Sequence, residues 1–292
     1  MATTVNGLVS AAVVTERQAA DIRALERLCN ASEGLDLKLG IPTTPQRMSA
    51  EARAFLWYTG GALVGYCGLE HWGGSEGELC GMVHPDHRRR GIGKALLAAA
   101  LGVCGPRGIS RLLLVCENAS GSGRAFAAAV GARLASSELH MERDASPIAE
   151  GSPAADPALM VRPAVVDDVD VVVRVIATAF GDDEAQVRRR VTGEIGDTSQ
   201  PFYLALLDGR PVGALKIYHS EEETGIYAFG VLPDEQGRGL GKRILARTVE
   251  MLRGGTSRFA LEVDPDNASA IATYRACGFA ITTIYGYYAL DV

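Results

Sequence analysis

No stretch of this 292-residue chain is both long and apolar enough to cross a bilayer as a helix, and basic residues are not in excess. Lys and Arg number 29 against 35 Asp and Glu, a formal charge of −6, so the attraction that drives binding to phosphate backbones is lacking. Near the N-terminus no basic segment leads into an apolar run, as a secretory leader requires. A cytoplasmic protein with neither nucleic-acid nor membrane partners is expected. None of the cysteines Cys29, Cys67, Cys80, Cys104, Cys116 and Cys277 stands in a C-x-x-C pair, and most lie in apolar runs such as Leu112-Leu-Leu-Val-Cys116. They read as small buried hydrophobes. His84 and His87 flank Asp86 in a turn but lack the further ligands of a closed metal site, so no metal is expected.

What the chain does contain is one passage written twice. Val83-His-Pro-Asp-His-Arg-Arg-Arg-Gly-Ile-Gly-Lys94 and Val231-Leu-Pro-Asp-Glu-Gln-Gly-Arg-Gly-Leu-Gly-Lys242 share a register, with Pro85 and Pro233, Gly91 and Gly239, and Gly93 and Gly241 each 148 positions apart. Such an offset marks the repeat of a whole domain. Each copy ends an apolar strand and opens a helix. Glycine there frees a row of backbone N–H groups at a helix N-terminus, where the dipole favours an anion, so the loop suits a phosphate or pyrophosphate.

Three prolines and small residues over 144–157 read as an exposed connector, placing one domain at 1–145 and another at 158–292. In the second, a strand at 159–163 precedes a helix over 167–180 behind a capping aspartate; a hairpin at 202–218 and a strand at 226–231 lead into the loop. Leu240, Ile244, Leu245, Thr248, Val249 and Leu252 then repeat at helical spacing, followed by a strand at 259–263, a helix at 268–277 and a terminal strand at 281–290. The first half runs in parallel from residue 54, but its opening differs. A helix at 16–30 is clear, the stretch through Pro42 and Pro45 is irregular, and no crisp first strand matches the one at 159–163.

Two better-known phosphate loops are excluded. A Walker A loop needs glycine at 236 and Ser or Thr at 243, where Gln236 and Arg243 stand; a dinucleotide fingerprint needs glycine at Lys242 or Ile244. The remaining pattern, Gln or Arg-x-x-Gly-x-Gly after strand and proline, resembles the coenzyme A loop of the GNAT superfamily of acyl-CoA-dependent N-acyltransferases. In the C-terminal half Asn267-Ala-Ser-Ala-Ile-Ala-Thr-Tyr-Arg-Ala-Cys-Gly-Phe279 is similar to a second motif of that family, Asn-x-x-Ala-x-x-x-Tyr-x-x-x-Gly-Phe. The resemblance covers nearly everything after residue 50. It implies an α/β fold of two tandem GNAT-type domains, each a mixed central sheet flanked by helices.

The resemblance also assigns roles. Phe229, Gly230 and Val231 would line the pantetheine arm; Gln236, Gly237, Arg238, Gly239, Leu240 and Gly241 would hold the phosphates, with charge from Arg238 and Lys242; and Asn267 would join the cofactor site. Tyr274, by motif position, would protonate the departing thiolate. Related enzymes often carry a glutamate base at the position of Gly225; here Glu223 lies two residues earlier, Glu262 and Asp264 end the next strand, and Glu223 is favoured, with a water chain or a neutral amine as alternatives. In the first half Val83, Arg88, Arg89, Arg90, Gly91, Ile92 and Gly93 form the equivalent loop, but Ala127 stands four before Gly131, where Tyr274 stands four before Gly278. The N-terminal domain is thus expected to be degenerate and the C-terminal one catalytic.

The expected function is acetyl transfer from acetyl-CoA directly to a primary amine of a small molecule or peptide, by a monomer or homodimer. One alternative is a coenzyme A-binding regulatory or interaction protein without turnover, which Gly225 favours and Tyr274 opposes. Another is acetylation of a thiol precursor's amine, as in tandem members of the family whose C-terminal repeat is catalytic. The run Glu221-Glu-Glu223 hints at a cationic acceptor, and a solvated hairpin end is its plainer meaning. Cys277, at a helix end, reads as packing rather than as a nucleophile.

Overall fold

The computed structural model describes residues 5–42, 51–71, 73–148, 156–198, 200–219 and 223–292. Pro45, the middle of the connector, Glu221 and Glu222 lie outside them. The chain divides into two units, Met1–Ser137 with Thr283–Val292, and Glu138–Thr282.

Unit 1 opens with β1 (Gly7–Ala11), where no crisp strand is expected, and α1 (Glu16–Glu33). Thr15 and Gln18 close a capping box at the start of α1, left-handed Gly34 stops it, and Ala19, Ile22, Leu25 and Cys29 bury one stripe. Next come β2 (Ala54–Thr59), β3 (Ala62–Glu70), β4 (Glu76–Val83), α2 (Ile92–Leu101), β5 (Arg111–Glu117), α3 (Gly121–Ala129) and β6 (Arg133–Asp144). Unit 2 repeats the plan with β7 (Leu159–Pro163), α4 (Val169–Phe180), α5 (Glu184–Glu194), β8 (Phe202–Leu207), β9 (Arg210–His219), β10 (Thr224–Val231), α6 (Leu240–Leu252), β11 (Arg258–Val263), α7 (Ala268–Ala276) and β12 (Ala280–Asp291). Helix α5 lies between the expected helix at 167–180 and the hairpin at 202–218, where no element is expected from the sequence. Asp168 stands at the N-cap position of α4 but makes no side-chain cap bond to it; its carboxylate instead accepts from the Val165 amide at 2.9 Å and from Arg162.

In unit 1, β1, β2, β3 and β4 pair antiparallel, and β4 pairs parallel with β5 through the crossover helix α2. Unit 2 builds the same order from β7, β8, β9, β10 and β11, with α6 as crossover. The sixth strand of each unit follows the other repeat in sequence. Strand β12 pairs with β5 from Tyr285↔Glu117 to Asp291↔Arg111, while β6 pairs with β11 from Arg258↔Asp144 to Val263↔Leu139. The structural division therefore falls inside β6 and β12 and not in the connector. Leu139 and Met141 join the core that α6 and α7 form in unit 2, and Tyr288 and Leu290 pack on the core under α2 in unit 1. All six cysteines are free and buried, and no described helix is long and apolar enough to cross a membrane.

Candidate active site

Strand β10 determines the site. Its parallel pairing with β11 stops at Ile226↔Leu261, and its register with β9 slips between Tyr227 and Gly230. Within the slip Ala228 takes φ +46°, a left-handed conformation costing about 1–2 kcal/mol for an L-residue. The result is a bulge beside a splay: from Tyr227 onward, the edge of β10 facing β11 leaves the ladder. Gly230 is needed there, since a Cβ would stand 2.6 Å from that of Ala179 on α4. Phe229, Gly230 and Val231 lie in this splayed segment.

Beyond β10, Pro233–Glu235 make one 3-10 turn and Gln236 returns to extended backbone, its Nε2 donating to the Val231 carbonyl at 2.9 Å. Gly237 and Gly239 take φ +73° and +72°, and nothing lies within 4 Å of a Cβ at either. This clear space and the N–H groups from Gly237 to Gly241, at the start of α6, fit a pyrophosphate. Leu240, 1% exposed, anchors the helix start in the core, while Arg238 reaches back to Glu235. Cys277 Sγ donates to the Lys242 carbonyl at 3.6 Å. Asn267 is exposed and accepts from Ala270 N at 3.0 Å, making it the cap of α7.

Tyr274 projects from α7 with 8% of its surface exposed, its ring centroid 6.5 Å from that of Phe229 and 6.3 Å from that of Phe279. Burial pushes the phenol up to about 12, so it stays protonated at neutral pH and can give a proton but not take one. Among the described residues none hydrogen-bonds its hydroxyl.

The favoured base sits in a wider polar cluster that sequence reading missed. Glu223 Oε2 lies 3.1 Å from Arg258 Nη2, whose Nη1 lies 3.3 Å from Glu142 Oε1. Glu142 and Glu262 flank His140, at 3.3 Å from Nε2 and 3.8 Å from Nδ1. Burial raises the Glu223 pKa against the opposing pull of Arg258 and His140. Burial also disfavours the His140 imidazolium, yet Glu262, Glu142 and Glu223 outweigh it and hold its pKa above the ordinary value. The signal was present in Glu138-Leu-His-Met-Glu142, whose polar residues alternate with core residues.

The loop of unit 1 keeps this backbone with other side chains. Arg88 Nε donates to the Val83 carbonyl at 3.0 Å, in the manner of Gln236, and Arg89 and Gly91 take φ +63° and +85°. Arg88 also pairs with Glu33, which accepts from Ser122 Oγ at 3.0 Å. Arg90 is exposed, and Ile92 opens α2 from the core. A Cβ at Gly93 would come within 3.1 Å of the Phe126 ring. A cavity of about 580 Å³ lies among β4, β5, α3 and this loop. Ala127, at the place of Tyr274, is buried in it without a polar group. His84 Nδ1 accepts from Asp86 N at 3.2 Å, a local turn contact.

The model of the GNAT acetyltransferase family matches residues 20–131 and 173–279, one match per repeat. A mycothiol acetyltransferase from Kineococcus radiotolerans is 34% identical over 233 residues, covering 75% of each chain. Another from Sanguibacter keddieii is 30% identical, covering 91% of this chain and 92% of its own. Among solved structures, a GCN5-related N-acetyltransferase from Sphaerobacter thermophilus covers 99% of this chain and 97% of its own, with a TM-score of 0.74 at 18% identity. A tandem GNAT protein from the clavulanic acid biosynthesis pathway covers 97% and 98%, with a TM-score of 0.70 at 19% identity. Fold, paired loops and family match agree: the chain is an acyltransferase that belongs to the GNAT acetyltransferase family, with two tandem GNAT domains.

Proposed function

We propose that unit 2 transfers an acetyl group from acetyl-CoA to the primary amine of a small molecule or peptide. The observation that carries this reading is the alignment, on one strand and its loop, of the amide-lined turn at Gly237–Gly241, the splayed edge at Phe229–Val231 and the phenol of Tyr274. When bound, acetyl-CoA supplies the acetyl group as an activated thioester. The loop amides, with Arg238 and Lys242, hold its phosphates, and the β10 edge orients its arm so that the acceptor meets a fixed carbonyl. Backbone N–H at the bulge of Ala228 is offered to the developing oxyanion, and Tyr274 gives its proton to the departing sulfur. The polar cluster containing Glu223 receives the ammonium proton. In unit 1 the loop from Val83 to Gly93 binds a second coenzyme A moiety without turnover, since Ala127 offers no acid.

The relatives' name makes the precursor amine of mycothiol the first acceptor to test, alongside kanamycin, spermidine and an alanyl peptide. Thiol release from acetyl-CoA is expected with one class of amine, together with acetyl-CoA binding by calorimetry. Binding without release across the panel supports the regulatory alternative, which Gly225 favours; no binding overturns the proposal.

A further inference from the structure

Gly225 occupies the position where related enzymes often carry a glutamate, and here the ring of Tyr227 takes up the space over it. A Cβ at Gly225 would lie 2.5 Å from Cε2 of Tyr227, whose ring folds back along β10 over the glycine. The volume of a carboxylate stem is thus filled by a phenol. Ile226, Leu261, Val263, Leu139 and Met141 point into the core beneath α6 and α7, so Gly225, Tyr227, Glu262, His140 and Glu142 lie on the opposite face of the sheet. Helices α4 and α5 cover that face over β8 and β9, and α4 touches the far end of β10 at Gly230.

Register ranks the carboxylates. The last β10–β11 pair is Ile226↔Leu261, so Glu262 is the first residue of β11 beyond the ladder, at the apex of the splay. The bulge at Ala228 is two residues past Ile226, about 7 Å of strand rise. Glu223 precedes Ile226 by three residues on the closed side of the ladder, and Arg258 holds it at 3.1 Å. Directly across from Glu262 on β6 is His140, its Nδ1 3.8 Å from the carboxylate, and Glu142 flanks the ring's other nitrogen.

We propose that Glu262, positioned and relieved of its proton by His140, is the group that deprotonates the acceptor ammonium, in place of the missing glutamate at Gly225. The inference rests on the transferase reading above. One ammonium proton passes to Glu262 and through His140 to solvent. The neutral amine forms its C–N bond to the acetyl carbon; as the C–S bond breaks, Tyr274 protonates the sulfur and recovers a proton from the new amide nitrogen. The sum is ammonium plus thioester giving amide, thiol and one proton.

Glu262→Gln keeps shape and removes basicity. With the amine that supports turnover, it should lower kcat about 100-fold while acetyl-CoA affinity stays within about twofold. Glu223→Gln should cost less than about tenfold. His140→Gln should lower kcat, and the double variant should lose no more than the worse single, because two members of one relay are not additive. Independently of turnover, the imidazole ¹⁵N signals that vanish in His140→Gln should move toward neutral-ring values in Glu262→Gln. The proposal is overturned by a Glu262→Gln enzyme within about threefold of wild type, or by losses in acetyl-CoA binding equal to those in kcat. Should Glu262→Gln fail to fold, His140→Gln carries the same test: a reduced kcat at intact affinity supports the relay, and an unchanged kcat removes it. A wild type that releases no thiol with any amine removes the transferase reading itself; turnover unaffected by Glu262→Gln removes only this base.

Discussion

Strand β4 keeps unbroken register with β3 from Gly65↔Val83 to Glu70↔Glu78, whereas its counterpart β10 slips against β9 between Tyr227 and Gly230. Both strands part from their parallel neighbour early, β4 after Leu79↔Leu114 and β10 after Ile226↔Leu261. Both loops adopt left-handed backbone at corresponding positions, although in the first the residue is Arg89 where the second has Gly237. The splay and loop are features of the repeat, retained even where a side chain makes them costly. The bulge at Ala228 and the phenol of Tyr274 belong to one copy. On the proposed reading, cofactor geometry and reaction geometry are thus separable, and only the first persists in both units.

The largest effect expected from disturbing this asymmetry is on Tyr274. Tyr274→Phe should reduce kcat by about 10²–10³ with acetyl-CoA affinity unchanged in calorimetry. The reverse graft, Ala127→Tyr in that background, should restore nothing, because β4 lacks the bulge; restored thiol release would mean the bulge is dispensable. Next come the loop glycines. Gly239→Val forces a β-branched residue to φ +72° and should weaken binding at the C-terminal site about tenfold, whereas Gly91→Val should weaken only the second site and leave kcat intact. A smaller change is expected from Glu33→Gln, which releases Arg88 from an internal carboxylate; two-site calorimetry should show severalfold tighter acetyl-CoA binding in unit 1 alone.

The smallest effect is a limb that does not appear. Since burial holds the phenol near 12, kcat should not fall as pH passes ~10, the ordinary tyrosine value. The sign is the same for stability: folding favours the neutral phenol, a contribution full below ~10 and lost as pH rises through about 12. A decline centred on the ordinary value would place the Tyr274 hydroxyl in water.

Most of this architecture is legible in the residues. The offset of 148 aligns loops whose left-handed residues fall at corresponding positions, and the periodicity from Leu240 to Leu252 matches the bounds of α6. Local signals serve where the cause is local. Strand β1 escaped because five residues beginning with glycine alternate only between partly buried and exposed. The bulge escaped because alanine carries no signal for positive φ. The Tyr227 ring over Gly225, and His140 beside Glu262, depend on pairing between distant segments. Asn267 was assigned to the cofactor by motif, and its side chain caps α7. The segment 283–292 falls mostly within the expected terminal strand, 138–144 carries no expected element, and nothing in the composition of either names the sheet it joins.

That exchange of closing strands bears on how the protein is made. As the chain leaves the ribosome, unit 1 has five strands and lacks Tyr285 and Tyr287, which are 3% and 4% exposed when folded. Domains ordinarily fold as they emerge, whereas the edge of β5 in unit 1 finds its partner only in residues 283–292. Cutting in the connector would separate each sheet from its sixth strand, so the two repeats, though duplicated in sequence, are not independent folding modules.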